Sequence, residues 1–328
     1  MRLIGAEAHR WLARRGLWVA LAGAFALLAM LCSTIVLATR PPLGEDVAAG
    51  RVAFAEQHAQ WVENHESDRK ACLKTLPPDE VDKADEYCAM EEPKEEWFVP
   101  QPMGWANAMS TVTTGGAGIA GLVAMLMAAS FWGAEIRSGS LSTWLTFVPS
   151  RPKVWASKMV VSAVAGAAAL ASVLALGLVT AWLAITVNQG AAAVGDWVGP
   201  LQAAGRGVVF GALMALIGGG LAVVFRSTVA AVAVPLAYLF LQGMVGLLYA
   251  IPGFDRLTSL LPENNVQAFL LGGLTYHVPV TRATPDGLQV DMVERTISLA
   301  QGTVYLLVLV AIAALVSLVL FQRRDVTE

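Results

Sequence analysis

The sequence predicts an all-α integral membrane protein with six transmembrane helices, and three observations carry that prediction. Hydrophobic residues make up 56% of the 328 and charged ones only 14%, too apolar a balance for a soluble domain of this size. Six runs, 17–39, 104–132, 159–187, 207–225, 227–251 and 302–321, are free of charge or nearly so. Each is long enough to cross a hydrocarbon core of about 30 Å. The charges between them alternate in sign: segments 1–16, 133–158, the turn at Arg226 and the tail hold 11 basic residues against 4 acidic ones. The remaining segments hold 11 basic and 21 acidic residues, so the positive-inside rule puts both termini in the cytoplasm. The net charge of −3 averages over these two faces.

Residues 1–16 read as an amphipathic helix on the inner leaflet, with Ile4, Ala8, Trp11 and Leu12 on one face and Arg2, Arg10 and Arg14 reaching lipid headgroups. The run that follows is longer than a signal-peptide core, so it is expected to stay as the first span despite the cleavage-like Val36-Leu37-Ala38. Arg40-Pro41-Pro42 then leads into an outer domain, residues 40–103. There Val47, Phe54 and Trp61 repeat every seven residues, predicting a helix over 45–76. Pro77-Pro78 breaks it, and Asp79–Met90 forms the second arm of a helical hairpin. Cys72 and Cys88, one in each arm on the oxidising side, predict a disulfide that closes a short loop and contributes about 3 kcal/mol. His58 and His65 lie too far apart for ligands on one helix and are assigned to a solvated face.

Trp97, Phe98 and Trp105 mark re-entry into the membrane. The second span carries Thr111, Thr113, Thr114 and several glycines, which suit close helix packing and equally the lining of a pathway. Between the second and third spans, Leu141, Trp144, Leu145 and Val148 stand at i, i+3, i+4 and i+7, with Ser142, Thr143 and Thr146 between them. Ser140 is placed to cap this short amphipathic helix and Pro149 to end it. Glu135, Arg137, Arg151, Lys153 and Lys158 flank it. On its own the segment reads equally as a cytoplasmic turn whose charges set topology.

The order Glu135, Gly139-Ser140-Leu141, Leu145, Pro149-Ser150-Arg151, Lys158 resembles the E…G-T-L…P-x-R…K pattern of ABC-2 type transporter permeases, with serine for the commoner threonine. The resemblance extends over essentially the whole chain. It implies that residues 133–158 hold the coupling helix, which seats on a separate ATPase subunit that carries the ATP and Mg; this chain needs no cofactor. It further implies two permease subunits, alike or different, with two ATPase subunits in the cell membrane, acting most often in export. On that resemblance Glu135 and Arg137 orient the segment, and Ser140–Val148, with Leu141, Trp144 and Leu145 on its apolar face, is the helix. Pro149 and Arg151 set its end, with Arg151 facing an acidic groove of the ATPase.

The fourth span opens with Gly207 and Gly211 and contains Gly218-Gly219-Gly220; Pro235 lies in the fifth. Residues 251–273 are too polar and broken to span, and the resemblance implies a re-entrant outer segment there. Beyond it, Tyr276–Val280 and Leu288–Val293 around Pro285-Asp286-Gly287 predict a small outer hairpin. No Gly-Lys pair, HExxH or Gly-x-Ser-x-Gly occurs, so neither a phosphate-binding loop nor hydrolytic chemistry is expected on this chain, nor a nucleic-acid partner. The absence of ionisable residues near span centres disfavours an ion-coupled carrier. Two other readings stay open: an ATP-independent carrier or sensor, and an ABC-2-like machine that transmits force rather than cargo.

Overall fold

Helices α1 (Arg2–Leu12) and α2 (Arg15–Ala38) open the computed structural model, which describes residues 2–75, 88–244, 254–284 and 287–323. After them come α3 (Gly44–Thr75), α4 (Trp105–Arg137), α5 (Ser140–Phe147), α6 (Arg151–Gln189), α7 (Val198–Phe225), α8 (Thr228–Gln242) and α9 (Pro262–Leu271). Strands β1 (Gly273–Thr284) and β2 (Gly287–Ser298) precede α10 (Leu299–Arg323). Five of these helices, α2, α4, α6, α7 and α10, are long and apolar enough to cross a membrane. The sixth expected span begins at α8, where Ser227 Oγ accepts the Ala230 N–H. Its described 15-residue helix is about 22 Å long, and the remainder of 227–251 beyond residue 244 lies outside the described residues.

Helix α4 is the centre of the bundle. Within its apolar stretch 67% of residues are buried, against 17% in α2 and in α10, whose outer faces are left to lipid. Glycines let its neighbours close in. A side chain at Gly218 of α7 would collide with the Met125 carbonyl of α4, and one at Gly211 would collide with Gly166 of α6. The glycine pattern of the fourth span is therefore a packing feature on two faces of one helix. One turn of α4, Val112–Gly116, is a π-helix, with Thr113 Oγ1 donating to the Met109 carbonyl.

The helices exceed their predicted spans because flanking charges are absorbed into them. Helix α6 runs 39 residues, taking in Arg151, Lys153 and Lys158. Pro152 lies in its first turn, where a missing N–H costs nothing. Lys158 does not end it, because that charge is neutralised inside the protein.

At one end of the bundle α3 carries the return chain 88–99 along one side. Phe54 meets Phe98, Arg51 pairs with Glu95 at 2.9 Å, and the Trp61 indole N–H donates to the Met90 carbonyl. A disulfide joins Cys72 to Cys88. His58 and His65 lie partly covered along this stripe: His58 makes a solvent-exposed contact with Glu92, and His65 stacks on Trp61 at 4.1 Å. The second arm expected over Asp79–Met90 lies outside the described residues up to 87, and 88–90 are a turn and irregular chain. Also at this end, Asn188 donates to Thr39 Oγ1, and Gln189 donates to the Thr39 and Met103 carbonyls.

The fold is mostly helical, as expected, with one two-stranded hairpin added to it. β1 and β2 pair antiparallel over twelve residues each, from Gly273↔Ser298 to Thr284↔Gly287, roughly twice the runs read from side-chain alternation. Backbone pairing carries the ladder through Thr, Arg and Gln, which the apolar pattern passed over. Pro285 and Asp286 of the expected turn lie outside the described residues.

Candidate functional site

At the opposite end, where α1, α5 and the start of α6 meet the end of α4, five charged side chains converge. Glu7, Glu135 and Lys158 are essentially without solvent exposure. Lys158 Nζ donates to Glu7 Oε2 at 2.8 Å and makes an ion contact of 2.5 Å with Glu135 Oε2. Arg10 reaches both acids, Glu7 Oε1 at 3.4 Å and Glu135 Oε1 at 3.2 Å. Arg14 stands 3.1 Å from Glu135 Oε1 and donates to the Ser130 carbonyl.

Aromatic rings wall the cluster off from lipid. Lys158 Nζ lies 4.2 Å from the Phe131 ring centroid and 5.7 Å from that of Trp132; Arg14 covers Phe131 at 5.1 Å. Trp11 packs edge-on to Phe131 at 4.8 Å. Each ring face adds an attractive quadrupole to a charge already stripped of water. Charges buried this way hold geometry rather than add stability, since removing one partner strands the others.

The geometry corrects the reading of α1. Its buried face carries Glu7 and Trp11, while Ile4 and Leu12 are exposed, and Arg10 and Arg14 turn inward to carboxylates instead of outward to headgroups. A signal was present in the sequence: Glu7, Arg10, Trp11 and Arg14 stand at i, i+3, i+4 and i+7.

Helix α5 sits beside this cluster. Leu141 is buried, Trp144 and Leu145 are half-buried, and the Arg10 guanidinium lies 5.0 Å from the Trp144 ring. The cap is Gly139, with φ of 69°, and not Ser140, which is the first helical residue. The sharp turn out of α4 needs positive φ there, a place where glycine is unstrained. Ser138 Oγ accepts the Ser140 N–H, and Ser142 Oγ donates to the Gly139 carbonyl. The helix stops at Phe147, with Val148 extended before Pro149. Thr143, Thr146 and Phe147 face away from the protein, Phe147 with 77% exposure.

The other residues of the segment divide clearly. Glu135 and Lys158 meet in the cluster, although 23 positions separate them in sequence. Arg137 is exposed and takes no part in the cluster's ion pairs. Arg151 donates to the Gln322 carbonyl at 3.0 Å, fastening the start of α6 to the end of α10.

The model of the ABC-2 family transporter proteins matches residues 12–326. The chain belongs to that family. It is a multi-pass membrane component of a transporter, an ABC-2 permease and not a nucleotide-binding subunit. No curated protein matches it. The match covers Glu135, Lys158 and the whole of α5 but begins after Glu7 and Arg10, so the permease completes its buried cluster with residues ahead of the matched region.

Proposed function

We propose that this permease is driven by a separate ATPase subunit, which docks on the exposed face of α5 and whose movements reach the bundle through the Glu7–Lys158–Glu135 cluster. The observation that carries the reading is the two-sided character of α5. Phe147, Thr143 and Thr146 offer an uncovered apolar and hydroxyl surface, while Leu141 is buried in the protein and Trp144 meets Arg10 of α1. A large aromatic ring with no cover on a polar end of a membrane protein is a partner's anchor point more readily than a solvated one. The Cys72–Cys88 bridge at the far end supports a cytoplasmic α5 end, because disulfides persist on the oxidising side of a membrane.

Two permease chains and two ATPase chains then form the working unit, with ATP and Mg held by the ATPases and none on this chain. Arg137, exposed beside α5, is available to the ATPase; Arg151 is engaged with α10 and acts on the bundle instead. Export of an apolar or amphipathic cargo is the direction proposed. The test is co-purification with the ATPase followed by hydrolysis in lipid. Phe147→Asp is expected to abolish association without altering the fold of the permease. Glu135→Ala is expected to leave docking measurable but to lower coupled turnover. Both variants behaving like the unaltered chain would remove the proposal.

A second reading is favoured by α3, whose 32 residues extend about 48 Å and are stapled to the return chain. A rigid arm of that length suits contact with an envelope partner. In that case the assembled complex hydrolyses ATP without moving cargo, and removal of 44–99 abolishes its effect while hydrolysis persists.

A further inference from the structure

At the disulfide end, a cavity of about 640 Å³ lies between α4, α7, the end of α9 and the start of α10. Arg206 is the one Lys or Arg in its lining. The Arg206 Nε–H donates to the Leu270 carbonyl at 2.9 Å, which fixes the plane of the guanidinium against the end of α9. Gly272, with φ of 92°, turns the chain away directly beneath it. A guanidinium has five N–H donors, and this contact uses one; among the described residues neither Nη group has an acidic partner within ion-pair distance.

The other charged residue of the lining, Asp196, is exposed at the mouth, where its Oδ2 accepts the Val198 N–H at the start of α7. Its charge is thus directed at a helix N-terminus, which it stabilises. Met109, Ala203, Leu271 and Leu299 supply apolar wall, and Ser110 and Thr113 line the side formed by α4. Thr113 belongs to the π-turn, a feature that recurs where a helix wall is shaped for a ligand.

Capping of α9 accounts for Nε and leaves the Nη donors beside Gly272, in the lining of a space far larger than a few waters fill. Ligand cavities fall in this size range, with apolar walls and a small number of directing polar groups. We infer that this cavity binds an amphiphile with an oxyanion head, phosphate or carboxylate, held by the Arg206 fork, its apolar part lying along Met109, Ala203, Leu271 and Leu299. Paired N–H donors in fixed fork geometry match such a head. Binding here needs no ATPase, so it stands or falls separately from the coupling proposal; as a cargo site it would rest on that proposal.

The experiment is equilibrium binding of dodecyl phosphate to the purified full-length permease in a neutral maltoside detergent. Arg206→Gln is expected to weaken binding by about tenfold or more, and Arg206→Lys by less. Dodecyltrimethylammonium is expected to bind far more weakly, and inorganic phosphate likewise, for lack of the apolar part. Because Arg206 also holds α9, a second variant, Ala106→Trp, fills the cavity with Arg206 in place and is expected to remove binding. Native mass spectrometry then separates the sources. Phosphatidylglycerol retained by the unaltered chain and lost from Arg206→Gln marks a bilayer lipid, whereas dodecyl phosphate binding without retained lipid marks a soluble amphiphile; either result supports the site. Dodecyl phosphate binding unchanged in Ala106→Trp, or unchanged in a folded Arg206→Gln, overturns it.

Discussion

The two ends of the permease use the same ion pairs under opposite conditions. At the α5 end, Glu7, Glu135 and Lys158 are cut off from water and walled by Phe131 and Trp132. At the disulfide end, Arg51–Glu95 has side-chain exposures of 68% and 50%, and Lys70–Glu66 is more open still. Exposed pairs of this kind are worth little, and there a covalent bridge does the holding. In the buried cluster no group can lose its partner without leaving a charge in a medium that cannot solvate it. One end is tied by chemistry that tolerates variation in its charges, and the other by charges that tolerate almost none.

The sharpest way to break this contrast is Lys158→Met, which removes the cluster's fully buried cation and leaves Glu7 and Glu135 to the partly exposed Arg10 and Arg14. It is expected to lower stability by about 3–5 kcal/mol. Cys32, the free buried cysteine, provides the readout as a thiol-reactive dye follows thermal unfolding in detergent. Adding Glu7→Gln to Lys158→Met should recover part of that loss, since the cluster then holds one buried carboxylate fewer to neutralise. A loss under about 1 kcal/mol would mean that water reaches the cluster, and the contrast with the other end would fail.

Next in size, the double replacement of Cys72 and Cys88 by serine, which keeps Cys32 as the one thiol, is expected to release about 3 kcal/mol, all of it local to α3 and its return chain. Limited proteolysis should then cut within 76–99 much faster, while the Cys32 melting profile of the bundle stays where it was. A bundle that melts earlier would show that the two ends are energetically joined.

Two arginines give a finer comparison. Arg10→Ala removes ion contacts to two buried acids, the one to Glu7 also a hydrogen bond, and is expected to cost about 1.5–3 kcal/mol. Arg51→Ala, which removes a shorter contact at the surface, should cost below about 1 kcal/mol. Equal effects in the two melts would show that burial is not what distinguishes the ends.

Much of this was readable from the residues alone. Charge-free length identified five of the spans, heptad spacing placed the start of α3 within one residue, and the two outer cysteines gave the bridge. Periodicity also found α5 and its stop at Pro149. What it did not give was where the charges go. Arg10 and Arg14 on an amphipathic helix look like headgroup anchors until Glu135, more than a hundred positions away, is known to stand opposite them. Such pairings are tertiary facts with no local pattern, although the shared face of Glu7, Arg10 and Arg14 was a hint. Gly139 was passed over as a cap because a left-handed cap depends on the direction of the exit from α4, which local composition does not encode. In sequence Lys158 is a flanking charge of the motif, and the long reach of α6 brings it to Glu7 and Glu135.

That reach has a further consequence. From Pro152 onward α6 contains no proline and no π-turn, so it has no joint along its length. Lys158 bolts one end of this shaft to α1 and α4, and the amides of Asn188 and Gln189 bolt the other to Thr39 and Met103. One unbroken rod therefore ties the two ends of the bundle together, with no hinge between its two anchorages.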